Sequence, residues 1–276
     1  MASATPTPAA ATVAPQFGAG GVRLFRAWTT LLMLSFNRLF WSMNTLMVLF
    51  PLVGCALFLV WRRYDRWTFA EGSFRAFSEE FMIFLFTSFV VPVCALAYAT
   101  TSVGGDREDR TLLFLLVRPV PRWLILLAKL LATLPLVLGL VLTSFWVYCR
   151  LAGPIGEKAF WIYLTPVFYM TLAYVSLFHL FAVTFRHSTI VALIYSLFME
   201  FLLGNMPGLV KRIAVNFYGR SMMYDLGGAE GLRSPDPEWF VPVSAWGAGC
   251  SLLGISAGAI VLTLLIFSLR EYRDLT

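Results

Sequence analysis

The residues from Gly105 to Trp123, GDREDRTLLFLLVRPVPRW, interrupt an otherwise apolar chain with five consecutive charges, Asp106 to Arg110. A six-residue apolar run, Leu112 to Val117, follows and is far too short to cross a bilayer. Arg118, Pro119, Pro121 and Arg122 close the segment. The pattern predicts a short helix. Asp106 is placed to cap its N-terminus, and Glu108 and Asp109 suit the positive end of the helix dipole. Arg118 suits the negative end, and Pro119 stops the helix. Such an element, charged and partly apolar beside a membrane, suits docking of a soluble partner and transmission of force into the flanking spans. On pattern alone an ordinary interfacial loop helix fits equally.

The remaining residues with chemical potential are few. Glu200 lies inside an apolar run, where an ionisable group is costly and by default suggests function. It either lines a pathway or serves structure, pairing with Lys211 or Arg212. His179 also lies within an apolar run, and a neutral imidazole satisfied by a neighbouring helix accounts for it. Cys55, Cys94, Cys149 and Cys250 form no C-x-x-C pattern and read as small apolar packing residues. No G-x-x-x-x-G-K-[ST] or H-E-x-x-H occurs. The expectation is therefore no catalytic residue, no metal site and no cofactor in this chain, and no nucleotide-binding loop. Any ATP hydrolysis must come from a separate subunit.

The elements that hold these residues follow from composition. Of 276 residues, 59% are hydrophobic and 13% charged, against roughly 25% charged in soluble domains. A mean hydropathy of +0.77 puts the chain in lipid, where helices satisfy their own backbone. The net charge of +6 comes from Lys and Arg scattered between apolar runs, so no nucleic-acid face is expected. Residues 1–20 are uncharged and rich in Ala, Pro and Thr, and read as a disordered tail. In residues 22–40, Phe25, Trp28, Leu32, Phe36 and Leu39 make one helical stripe, fitting an amphipathic helix in the membrane interface. An extension of the first span is the alternative.

The expected architecture is an all-α integral membrane domain over residues 21–276. Its six spans are placed at about 43–61, 81–103, 124–149, 159–184, 188–205 and 243–269. After the fifth span, Leu209, Ile213 and Phe217 share one face of a further short helix, expected at the outer leaflet. With the N-terminus inside, 11 of 21 basic residues fall on inner segments, so charge alone leaves the orientation undecided.

Two stretches resemble a known family. Permease subunits of the type-2 ABC exporters carry G-E-R-E-R-G-T-L, then L-L, P-V-S-R and a lysine in the next helix. Here stand Gly105, Asp106, Arg107, Glu108, Asp109, Arg110, Thr111, Leu112, Leu115, Leu116, Pro119, Val120, Pro121, Arg122 and Lys129. Arg110 replaces the family's glycine and Pro121 its serine. The second stretch matches the family's Y-x-x-x-x-E-x-L-L-x-N-x-P-G at Tyr195, Glu200, Leu202, Leu203, Asn205, Pro207 and Gly208.

The resemblance implies a multi-pass protein of the plasma (inner) membrane with cytoplasmic termini. It implies a cytoplasmic coupling helix between spans two and three that contacts cytosolic ABC ATPase subunits. The residues it assigns to coupling are Asp106, Arg107, Glu108, Arg110, Thr111, Leu112, Arg118, Pro119 and Arg122. It also implies that a second permease copy, or a related permease, completes the pathway within membrane lipid. Glu200 and His179 are the candidate intramembrane polar groups. The rival readings are an ion-driven secondary transporter, a membrane-embedded enzyme and a non-transporting scaffold for an ATPase. The first would want several intramembrane charges. The second lacks catalytic clusters.

Overall fold

The computed structural model describes residues 19–64, 74–108, 121–198, 210–235 and 240–269, with the side chains of 19–24, 62–64 and 107–108 set aside. Helix α1 spans Ala19–Phe40 and α2 spans Met43–Tyr64. The third helix, α3, covers 74–108 in three parts: an α turn at Phe74–Ala76, a π-helical stretch at Phe77–Val90, and an α stretch at Val91–Glu108. Then come α4, Arg122–Ala152, and α5, Pro154–Thr184. Helix α6 is Ser188–Tyr195, α7 is Val215–Gly227 and α8 is Ala245–Leu269.

Among the described residues, five helices are long and apolar enough to cross a membrane: Met43–Trp61, Phe74–Asp106, Arg122–Ala152, Pro154–Thr184 and Ala245–Leu269. The expected fifth span appears only as the apolar helix Ser188–Phe198, and the rest of that stretch, with Glu200, lies outside the described residues. The proposed coupling helix after Glu108 also lies outside them, as does the tail before Ala19. The first helix begins at Ala19, two residues inside the stretch expected to be tail.

Helix α5 is the hub of the bundle and packs against α3, α4, α6, α7 and α8. Its core faces are aromatic. Phe86 of α3 meets Phe145 and Tyr148 of α4, with ring centroids 5.6 and 5.8 Å apart. By contrast, only 22% of the apolar window of α2 and 28% of that of α8 is buried. Cys55, Cys94 and Cys149 pack in the interior as expected, whereas Cys250 lies on the exposed face of α8. The α1 stripe is also split. Leu39 is buried, but Phe25 is 63% exposed, because α1 is covered mainly along the edge turned towards α4, with smaller contacts to α2 and α3.

Helix ends fall where local chemistry puts them. Ala214 is extended and separates a 3-10 turn, Val210–Ile213, from α7. That break corrects the expected common face: Phe217 is fully buried while Ile213 is 62% exposed. The π-helical stretch of α3 runs into Pro92, whose ring and missing N–H disturb the i→i−4 ladder. Side chains from other helices tie that wider stretch. Tyr163 donates to Ser78 at 2.8 Å, and the Asn216 amide donates to Ser88 Oγ at 2.8 Å.

The α4–α5 hairpin turns at Gly153, whose φ of 76° belongs to the left-handed region, and Pro154 starts α5. One turn on, Gly156 lies against the end of α4. A Cβ there would sit 2.0 Å from the Cys149 carbonyl oxygen, which is backbone and has nowhere to move. Gly156→Ala is therefore expected to destabilise the fold by about 1–3 kcal/mol, the usual cost of overpacking. Thermal unfolding of the purified protein in detergent checks it; an unchanged midpoint would refute the close approach.

Candidate functional site

The charged segment singled out in the sequence emerges from the end of α3 and returns at the start of α4. Those two helix ends are joined by a buried ion pair. Lys129 of α4 donates to Asp106 Oδ2 and also to the backbone carbonyl of Ser102. Ser102 and Asp106 are four residues apart on α3, so both acceptors fall on one helical face. The side chains of Lys129 and Asp106 are 6% and 5% exposed. The other carboxylate oxygen, Asp106 Oδ1, accepts from Arg38 of α1, whose side chain is 56% exposed.

Asp106 thus lies within α3, two residues before the last one described, and its carboxylate is engaged inside the chain. This differs from the expected helix cap after the span. The physical reason is Lys129. A buried ammonium requires an anion and hydrogen-bond acceptors, and this demand outweighs a solvent-exposed cap.

The network extends one step further. Ser102 Oγ lies 3.0 Å from His179 Nε2 of α5, and His179 Nδ1 lies 2.9 Å from the Val175 carbonyl. A neutral imidazole with its proton on Nδ1 satisfies both contacts, donating to Val175 and accepting from Ser102. Four helices, α1, α3, α4 and α5, therefore meet in one polar cluster. A cavity of about 180 Å³ borders it, lined among others by Ser35, Arg38, Thr101, Ser102, Asp106 and Lys129. Beside it, α6 docks closely on α3. Thr189 donates to Thr100 at 3.3 Å, and a Cβ on Gly104 would lie 2.6 Å from Ser188 Oγ.

The other sequence-derived candidates distribute as follows. Arg122 is the first residue of α4 and is exposed. Arg107 and Glu108 belong to the last turn of α3. Arg110, Thr111, Leu112, Arg118, Pro119 and Glu200 lie outside the described residues. Arg38 and Ser102 are not among the sequence-derived candidates, and Lys129 enters there only as part of the family motif. The signal for them was indirect: an unpaired Lys129 in an apolar run demands partners, and the sequence does not say which.

A second cationic cluster lies at the opposite end of the bundle. Lys211 Nζ stands 5.1 Å from the Phe240 ring centroid and 5.9 Å from that of Phe217. The Arg220 guanidinium lies 5.3 Å from Phe240. Burial, then the charges of Arg220 and Arg212, pull Lys211 below the ordinary lysine value. Nearby, Asp225 accepts the Ala245 N–H at 2.6 Å and so caps α8.

The chain matches the family model described as "ABC-2 family transporter protein" over residues 9–268. No curated protein matches it.

The joint generates an ordered pair of expectations. Removing Asp106 leaves Lys129 buried without its anion, which costs about 3–5 kcal/mol. Arg38→Gln removes a half-exposed ion pair and costs about 0–1 kcal/mol. In denaturant unfolding, Asp106→Ala should therefore be far more damaging than Arg38→Gln, and Asp106→Leu with Lys129→Met should recover much of the loss. Equal effects of the two single variants would contradict the assignment.

Proposed function

Since the chain belongs to the ABC-2 family of transporter membrane proteins, we propose that it is the membrane-spanning subunit of an ATP-driven exporter, working with separate ATPase subunits. The observation that carries this reading is the Asp106–Lys129 pair. It ties the helix that enters residues 109–120 to the helix that leaves them. A partner that grips this segment moves α3 and α4 together rather than bending a loop.

The lengths support the same reading. At 31 residues each, α4 and α5 are about 46 Å long, against a hydrocarbon core of about 30 Å. The surplus lets the joint end stand at the membrane boundary, within reach of a soluble protein. On this reading that end is cytoplasmic. Arg107, Glu108, Arg110, Thr111, Leu112, Arg118, Pro119 and Arg122 form the surface presented to the ATPase, and Asp106 anchors it from inside. Nucleotide-driven closure of two ATPases rocks α3 and α4 and switches the pathway between inward-open and outward-open. The sparsely buried α2 and α8 leave wide apolar faces for lipid and for a second permease.

Isolation in mild detergent should recover a stoichiometric ATPase carrying a P-loop. Arg107→Ala with Glu108→Ala should leave insertion intact and separate ATP hydrolysis from transport in liposomes. Unchanged coupled transport in that double variant, or a purified complex without an ATPase, would count against the proposal.

A further inference from the structure

Helix α1 touches both roots of residues 109–120. At the α3 root, Arg38 donates to Asp106 Oδ1. At the α4 root, Trp28 Nε1 donates to the Leu124 carbonyl at 3.1 Å. Ten residues of helix separate the two contacts, which is about 15 Å of rigid rod. They fall about 80° apart around the helix, so one face reaches both. Between them, Leu31, Leu32 and Ser35 are partly covered, whereas Met33, Leu34 and Phe36 face outward; Leu39, next after Arg38, is buried.

We propose that α1 is a strap across the two roots, and that Trp28 and Arg38 are positioning residues that set the tilt of the first turns of α4 against α3. The buried Asp106–Lys129 pair, with the Lys129 bond to the Ser102 carbonyl, is the tie nearest this end, and the aromatic packing of Phe86 on Phe145 and Tyr148 lies further along the helices, so the first turns of α4 ahead of Lys129 are the part left to tilt. The Leu124 carbonyl lies five residues before Lys129, about 7.5 Å nearer the charged segment. A second constraint at that distance restrains the tilt. The two fasteners are also the yielding part of the assembly. One is a neutral hydrogen bond and the other an ion pair with a half-exposed guanidinium, while Lys129 is enclosed. Under load from a gripped segment, the strap lets go or moves before the joint breaks. The stiffness of the strap thus sets how much of a partner's displacement reaches the spans.

This inference rests on the transport reading for its consequence, but not for its geometry. The test uses the full chain carrying Trp28→Phe with Arg38→Gln, both mild changes that keep the apolar contacts. Hydrogen–deuterium exchange of the purified chain without partner reads residues 121–128. Exchange there should be about five- to tenfold faster, matching the loss of one net hydrogen bond and one exposed ion pair. In liposomes with the ATPase, substrate moved per ATP should fall, and a chain with Trp28 intact and Arg38→Lys should keep most of the wild-type ratio. Unchanged exchange would overturn the strap whether or not an ATPase partner exists. Faster exchange with transport and hydrolysis falling in proportion would show a merely structural contact and overturn the positioning role. Failure to find an ATPase at all would instead sink the transport reading, leaving the exchange measurement to judge the strap.

Discussion

A lysine enclosed between apolar helices must have an anion within hydrogen-bond reach, and in this chain that anion is Asp106. The requirement is severe because the penalty for an unpaired buried charge exceeds the worth of most other single contacts. It fixes the relative height of α3 and α4 and the face of α3 that turns inward. It also dictates that Ser102 stands beside Lys129, and through Ser102 that His179 of α5 joins the cluster. Much of the arrangement at this end follows from satisfying one ammonium group.

The two ends of the bundle are stabilised differently. One end concentrates charge into a compact network shared by four helices. The opposite end combines neutral and aromatic ties, Tyr163 to Ser78, Asn216 to Ser88, and Lys211 and Arg220 against Phe240, with an exposed ion pair between Lys158 and Glu230 at 3.1 Å. The middle is held by aromatic packing of α3 and α4 around α5. A bundle pinned at one end by a buried ionic network and at the other by hydrogen bonds and aromatic contacts between distant helices resists sliding. That is the mechanical behaviour a force-transmitting subunit needs. The periphery fits the same account, since α2 meets the bundle through few ties, such as Tyr148 to the Leu52 carbonyl at 2.8 Å and Tyr98 to Thr45 at 3.0 Å.

The ionisable groups within the described spans are joined to neighbours in ways that argue against an ion-driven secondary transporter. Lys129, Asp106 and His179 form a satisfied network at one end of the helices, not a chain of exchanging sites through the middle. A secondary transporter would want polar groups spaced along a pathway near the bilayer midplane. The polar residues here are placed to hold helix ends.

Much of the architecture was legible in the sequence because it depends on local quantities. Composition demanded lipid, run length marked the spans, and the charged segment with its prolines stood out between the second and third. The interval between the expected third and fourth spans, residues 150–158, contains the α4–α5 turn at Gly153. The partnerships were not legible. Arg38 finds Asp106 across 68 residues, Lys129 finds it across 23, and Ser102 finds His179 across 77. Which side chains meet depends on how each helix is rotated and how it crosses its neighbours. Uniformly apolar helices such as these carry little periodicity to reveal either. The sequence determined that helices exist and which apolar runs they occupy, although α3 starts at Phe74 rather than at 81 and α5 at Pro154 rather than at 159; only their packing decided that Asp106 serves as an internal anchor and α1 as its companion.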